Sequence, residues 1–309
     1  MESLEALKGR IEGARTLRTI VRTMKILAAV GVRQEARAAE ALSAYSRTIE
    51  LGLQVVLKTL DEAALHASGM DAENGRPVEA IVLGSDMGMC GQFNERIAAF
   101  AVRELSKPGI GPATVLAVGD RAAERLIDLG RPPASVLPCP ANPTTGVGLA
   151  IRVVLQRLSS WREGVGGGEV LAFYNRHTGK GTDYECRRLR LLPVDTSYLE
   201  ELRSRPWKSR SLPQFRMDAT RLLHALLRGS VYSTLYLVFL DSLESENAAR
   251  LEAMEAAEKH IDEHLEDLRA WFNEARQEAI TAELLDIVAG VEAAVPRPAS
   301  RPAPRSKGA

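Results

Sequence analysis

Cysteine is scarce in this chain: Cys90, Cys139 and Cys186 are three in 309 residues. They lie far apart and are odd in number, which excludes a disulfide framework and any CxxC metal or redox motif and points to a reducing compartment. Aromatic residues are also sparse, at 5%. No sign of charge prevails, because 40 Lys plus Arg balance 40 Asp plus Glu. There is thus no global basic field to draw the protein onto nucleic acid or anionic lipid. The start, Met1-Glu2-Ser3-Leu4-Glu5, lacks the basic and apolar regions of a signal peptide, so no targeting is expected. The most apolar windows, such as residues 231–240, fall short of the roughly 20 apolar residues of a membrane span, so direct membrane insertion is not expected. What is present, 45% hydrophobic and 26% charged residues, is the profile of a soluble globular protein of about two domains, or of one with long extensions.

Proline is absent from residues 1–60, and only Gly9, Gly13, Gly31 and Gly52 interrupt a run rich in Ala, Leu, Arg and Glu. One long helix is predicted there. Its apolar stripe runs Leu4, Leu7, Ile11, Ala14, Leu17, Val21, Met24 and Ala28, in steps of three and four. From residue 20 to 32 the stripe widens, which predicts enclosure on more than one side. Residues 231–289 contain neither glycine nor proline, and Leu251, Met254, Ile261, Leu265, Leu268, Phe272, Ala275 and Ala279 keep a heptad register broken only by Glu258. Propensity alone holds such helices weakly, so each needs a partner, and the obvious partner for each is the other.

Between these ends the texture changes to short β-rich runs separated by helical segments. Strands are predicted at residues 79–85, 114–119, 169–174 and 184–192, and helices at 94–105, 122–129 and 146–161. The proline-rich stretch 132–143 and the glycines at 164–168 read as turns or surface connections. The expected fold is therefore α/β. A long antiparallel coiled coil of N- and C-terminal helices carries a central Rossmann-like domain. The boundaries are residues 1–75 for the first helix, 76–215 for the α/β domain, 216–290 for the last helix and 291–309 for a basic, proline-rich, disordered tail.

Few motifs carry chemistry. Residues 84–94, Gly-Ser-Asp-Met-Gly-Met-Cys-Gly-Gln-Phe-Asn, follow a strand and precede a helix, but lack the lysine and hydroxyl of a phosphate loop and do not match G-x-G-x-x-G. A tight structural turn built on Asp86, Gly88, Cys90, Gly91 and Asn94 is the better reading. No Cys-His signature surrounds Cys90 to make it a nucleophile. His260 and His264 are one helical turn apart without a third ligand, among charged neighbours that suit a solvated face. No catalytic residue, cofactor site or metal site is expected.

Longer strings of residues resemble a known family. Residues 22–33, Arg-Thr-Met-Lys-Ile-Leu-Ala-Ala-Val-Gly-Val-Arg, resemble the K-A-M-x-M-V-A-A-S-K-x-R segment of the γ subunit of F-type ATP synthases. Residues 85–94 are similar to the S-D-R/K-G-L-C-G-x-x-N turn of that family, residues 245–254 to S-E-x-A-A-R-M-x-A-M, and residues 273–284 to N-x-A-R-Q-x-x-I-T-x-E-L. The resemblance covers almost the whole length. It implies a non-catalytic rotor shaft without cofactor, whose coil enters a hexamer of α and β subunits and whose α/β domain lies near the ε subunit and the ring of c subunits. It implies a peripheral place on the cytoplasmic face of a bacterial plasma membrane. It also implies that Arg250, Arg276 and Gln277, with Arg33, contact the β subunits, and that Met24, Ala28, Leu268, Phe272, Ala275 and Ala279 form the coil and its bearing. Met24 and Ala28 are expected to pack on the seam from Leu268 to Ala279. Met87 stands in place of a base, and three features mark a divergent or alternate branch: Val30-Gly31 in place of Ser-Lys, a basic segment at residues 207–213 where the family has an aromatic and Glu-Pro, and the basic tail. The competing readings are a nucleotide-binding α/β enzyme and a static coiled-coil adaptor.

Overall fold

In the computed structural model, which describes residues 3–60, 76–140, 146–165, 168–178, 182–207 and 209–294, the proline-free first segment forms a single helix, α1 (Leu4–Thr59). The α/β region follows as β1 (Val78–Leu83), α2 (Phe93–Leu105), β2 (Ala113–Val118), α3 (Asp120–Asp128), β3 (Ser135–Leu137), α4 (Gly146–Val165), β4 (Glu169–His177), β5 (Tyr184–Leu192) and α5 (Thr196–Ser204). The chain then runs into α6 (Ala219–Ala294). The tail expected at residues 291–309 starts too early, because residues 291–294 still belong to α6; its remainder, residues 61–75 of the expected first helix, Lys208 and parts of the expected loops at 132–143 and 164–168 lie outside the described residues.

The five strands order as β3-β2-β1-β4-β5, parallel except for the antiparallel β4–β5 pair. β1 is central and buried at every position, which is why it reads as a continuous apolar run and not as an alternation. The two faces separate with the period of two that a strand imposes. Ile81, Leu83, Leu116, Val118, Val170 and Ala172 pack beneath α4 and the segment of α6 carrying Leu235, Val238 and Phe239. Val78, Ala80, Val82, Val115, Ala117, Leu171 and Phe173 pack beneath α2 and α3. α6 has the length and composition to cross a bilayer, yet Leu235, Val238, Phe239 and Leu240 are all buried against the sheet. A third cluster joins Leu53, Val56 and Leu57 of α1 to Leu199 and Leu202 of α5 and to Leu223 and Leu227 of α6.

Two elements were not foreseen. β3 lies inside the proline-rich stretch, where three residues suffice to extend the edge of the sheet beside β2. α5 is short and starts at Asp195, whose carboxylate accepts from Ser197 N at 3.0 Å.

The chain divides into two compact units, residues 22–256 and the two ends, 1–21 with 257–309. Within residues 22–256 α1 and α6 run antiparallel. Gly31 abuts Asn247 and Gly52 abuts Leu226, so 21 residues forward on α1 match 21 residues back on α6. Within the unit of the two ends, Leu7, Ile11 and Ala14 form one cluster with Leu265 and Leu268, joined by Ile261, Phe272 and Ala275. The expected packing of Met24 and Ala28 on the seam from Leu268 to Ala279 is therefore corrected. That seam receives Leu7, Ile11 and Ala14, while Met24 and Ala28 belong to the unit of residues 22–256 and Ala279 is exposed. The reason is physical: a slide by whole heptads leaves an apolar stripe unchanged, so periodicity fixes the face and not the register. The stripe itself also steps differently. Leu17 is 55% exposed, and the seam after Ala14 passes through Arg18, whose Nε lies 2.7 Å from Asp262 Oδ1 while Nη2 donates to Oδ2 at 3.2 Å.

A truncation pair tests this seam. Leu268→Ala removes a fully buried side chain and is expected to destabilise the helix pair by about 2–5 kcal/mol, whereas Leu17→Ala should stay within about 0.5 kcal/mol. Denaturant unfolding of the full chain measures both, and equal losses would contradict the register.

Candidate functional site

The turn between β1 and α2 is held by its own side chains. Asn94, buried in the first turn of α2, accepts at Oδ1 from Ser85 N (3.0 Å) and donates through Nδ2 to Ser85 Oγ (2.8 Å) and to Cys90 Sγ (3.4 Å). Ser85 Oγ in turn donates to the Met87 carbonyl at 2.7 Å. Met89 and Gly91 take left-handed φ values of 63° and 57°, which curl the chain back so that Cys90 points inward. Gly88 has open space where a side chain would lie. Asp86 reaches out of the turn: Oδ1 accepts from Asp120 N at 3.1 Å and Oδ2 from Cys139 N at 2.9 Å. One carboxylate thereby ties the ends of β1, β2 and β3 together and caps the start of α3.

This arrangement decides what the turn can do. A phosphate cradle presents free backbone N–H groups at a helix start. Here the Ser85, Asp120 and Cys139 N–H groups are already taken by side chains, and the Asp86 carboxylate would repel an anion. Cys90 is 1% exposed and burial pushes its thiol up, so it stays protonated and unreactive. Among the described residues no group of His, Cys, Asp and Glu is placed to hold a metal ion. His260 and His264 both lie on an exposed helix face, His260 beside Glu263 at 3.4 Å.

Instead, the turn is a seat for α6. Cys90 and Phe93 pack on Ala249, with the Tyr184 ring 5.7 Å from that of Phe93 and the Arg96 guanidinium 4.5 Å above Tyr184. One helical turn away, Glu246 is buried and accepts from Arg250 Nη2 at 2.5 Å, while Cys139 Sγ lies 3.9 Å from its other oxygen. Burial raises the Glu246 carboxyl, opposed by the Arg250 charge. Burial likewise raises the Cys139 thiol, and the Glu246 and Asp86 carboxylates add to this.

The four residues expected to contact β subunits are thus placed in two ways. Arg250 has only 12% of its side chain exposed and is spent on Glu246 and on Asn247 Oδ1, 3.1 Å from Nη1. Both partners lie on α6 itself, so two of its nitrogens are held within the helix, while Nε is buried without a partner. Arg33, Arg276 and Gln277 are exposed. The coil residues divide in the same manner. Ala28 and Leu268 are buried, Met24, Phe272 and Ala275 are half-buried, and Ala279 is exposed. Buried seam residues serve the coil and cannot touch an enclosing partner. Apolar side chains exposed on these helices include Ile20, Ile26, Leu27 and Val30 on α1, and Trp271, Ile280, Leu284, Leu285, Ile287, Val288 and Val291 on α6. In the segment 207–213, Trp207 Nε1 donates to the Ser211 carbonyl at 2.9 Å.

Comparison with known proteins follows the same lines. A family model described as ATP synthase matches residues 3–294. The chain is similar to the ATP synthase gamma chain of Sulfurovum sp. (strain NBC37-1), 26% identical with 94% of this chain and 99% of that one covered. It is 27% identical to the ATP synthase gamma chain of Paracoccus denitrificans (strain Pd 1222), over 95% of this chain and all of that one. Its fold is similar to a chain in the mitochondrial ATP synthase of Euglena gracilis, from the OSCP/F1/c-ring part in rotational state 3, with a TM-score of 0.63, 18% identity and 96% and 98% of the two chains covered. A chain from the rotor of the same enzyme gives a TM-score of 0.59 at 17% identity, covering 90% and 98%. The chain belongs to the ATP synthase family, among relatives that are gamma chains.

The seat makes a prediction of its own. Asn94→Ala leaves the buried Ser85 N–H without its acceptor and is expected to cost about 1–3 kcal/mol. Cys90→Ala, which loses only weak sulfur contacts and a small volume, should cost less. Urea unfolding of both variants measures the difference, and the reverse order would show that the thiol and not the amide holds the turn.

Proposed function

We propose that this chain is the central-stalk rotor subunit of an F-type ATP synthase, coupling ion flow through the membrane c-ring to conformational cycling of the catalytic β subunits. The observation that carries this reading is the end of α6. Beyond Ala275, where the cluster with α1 stops, Ile280, Leu284, Leu285, Ile287, Val288 and Val291 remain exposed on one helix. An uncovered apolar surface of this kind is a binding surface. A hexamer of α and β subunits that encloses the helix end supplies the cover, and a helix with side chains in all directions offers each β subunit a different face as it turns.

The α/β domain then faces the ε subunit and the c-ring, and the protein is peripheral to the membrane, on the cytoplasmic side of a bacterial plasma membrane. Arg276 and Gln277 are the polar contacts to the β subunits, with Arg33 as a further one. A guanidinium offers a planar fork for a loop carboxylate, and Gln277 both donates and accepts. Arg250, paired with Glu246 one turn back on the same helix, is the least exposed of the four. No cofactor is part of this function. A nucleotide-binding enzyme is disfavoured by the occupied N–H groups and the Asp86 carboxylate at the turn.

Co-expression of the chain with its α and β subunits tests the proposal: the purified chain alone should hydrolyse no ATP, and the assembled complex should. In that complex, Arg276→Ala combined with Gln277→Ala should slow ATP hydrolysis several-fold while assembly stays intact, because exposed polar contacts contribute only about 0–1 kcal/mol to binding. Unchanged hydrolysis and coupling would mean that these side chains are not the contact.

A further inference from the structure

We propose that Glu35 is a proton-binding site built into the joint between α1 and α6, where a neutral carboxyl is held against Asn247 and loss of its proton loosens the joint. The inference concerns residues 22–256 alone and does not depend on the rotor reading.

The geometry starts at Gly31. A Cβ there would lie 2.4 Å from Asn247 Nδ2 and 2.8 Å from its Cγ, so α6 can insert the Asn247 amide into the seam only because position 31 has no side chain. One turn further along α1, Glu35 is 4% exposed and hydrogen-bonds to that amide, while its Oε2 is buried without a partner. A carboxylate shares its charge over two oxygens, and leaving one of them dry penalises the ionised form.

Among the described residues no cation forms an ion pair with Glu35. From α6, Glu244, Glu246 and Arg250 face the joint, and Arg250 is spent on Glu246 at 2.5 Å and on Asn247 Oδ1 at 3.1 Å. From the α/β domain, His177 lies 3.6 Å from Glu244 Oε1, and Asp86 and Cys139 act on Glu246. Three carboxyls thus meet one committed guanidinium. Burial, the largest cause, pushes the Glu35 carboxyl up to about 7, its own backbone amide and Asn247 oppose this, and Glu244 and Glu246 add to it.

The sign follows from linkage. The folded carboxyl binds its proton more tightly than the unfolded one, whose ordinary value is 4.5. Stability from neutral Glu35 is therefore complete below pH 4.5 and is lost as pH rises through about 7, by up to about tenfold in the folded-to-unfolded ratio per pH unit. Acidification towards pH 6 tightens the joint.

The experiment compares wild type with Glu35→Gln, a neutral side chain of the same shape, in denaturant unfolding of the full chain from pH 5 to 8.5. Glu79 and Asp241, also raised by burial to about 7 and about 6, contribute equally to both proteins and cancel in the difference. Wild type should lose stability relative to Glu35→Gln by at least tenfold in the ratio across that range. Infrared difference spectra supply a second measurement that needs no unfolding: of the protonated-carboxyl absorption that bleaches near pH 7, Glu79 supplies a part that stays, and the wild-type minus Glu35→Gln difference should show one further carboxyl with a midpoint near 7. Superimposable pH profiles, or a carboxyl absorption left undiminished by the substitution, would overturn the proposal.

Discussion

Neither α1 nor α6 can bury its apolar stripe alone, and the remaining structure depends on their packing against each other. Leu7, Ile11 and Ala14 meet Leu265 and Leu268 in one unit, while in the other Gly31 meets Asn247 and Gly52 meets Leu226. Each buried Leu or Ile contributes about 1.5–3 kcal/mol, far more than helix propensity offers over the same turns. The α/β domain is attached to the same pair of helices. Leu235, Val238 and Phe239 of α6 lie in the core beneath the sheet, with Ala38 and Ala39 of α1 packed against that cluster. The domain therefore uses the helix pair as part of its own core.

Much of this was legible in the sequence, and the misses have causes. β1, β2 and β4 were recognisable because buried strands read as largely unbroken β-branched and aliphatic runs, whereas β5 is a half-exposed edge strand with Glu185, Arg187, Arg188 and Arg190. β3 was hidden by prolines on either side of three residues, and α5 by its single cap and short apolar face. Register was out of reach for a stripe of period 3.5. Leu17 drew the stripe one residue off a seam that passes through Arg18, because a leucine looks like a core residue and an arginine does not. Glu35 went unread for the same reason. Continuing the seam from Ala28 in steps of four and three arrives at Val32 and then Glu35, so a carboxyl at a core position was there to be found.

The turn at residues 84–94 illustrates how a strand-to-helix loop of phosphate-binding appearance becomes structural. Its glycines bend the chain as such loops require, but Asn94 and Asp86 take up the N–H groups of Ser85, Asp120 and Cys139 and put a carboxylate at the turn. What was legible was the absence of a lysine and hydroxyl. The positive purpose, to seat Cys90 and Phe93 on Ala249, depends on a partner about 155 residues further along the chain and left no local mark. Arg250 carries a constraint of another kind. Its string matched a motif, but only the fold reveals that Glu246, one turn back, claims the guanidinium.

Polar and apolar surplus are distributed unevenly along the helices, and the distribution has a logic. Where α6 lies beside the α/β domain, its seam admits Asn247, Glu246 and Arg250, groups that cost more to bury than hydrocarbon and are tolerated because each has a defined partner. Such groups select one register among the heptad slides that an all-apolar seam would accept, as a single buried polar residue does in other coiled coils. Past Ala275 the need reverses. With no further member of the α1 cluster to specify a register, the helix carries an exposed aliphatic face in steps of three and four, Ile280, Leu284, Ile287 and Val291 among them. Hydrocarbon contacts are non-directional. A surface made of them slides past a surrounding wall without breaking matched hydrogen bonds, whereas a polar surface would stick at each one. Polar groups specify the register where α6 lies beside the α/β domain, and past Ala275 the apolar face is left for a partner, with the exposed Arg276 and Gln277 at its near end.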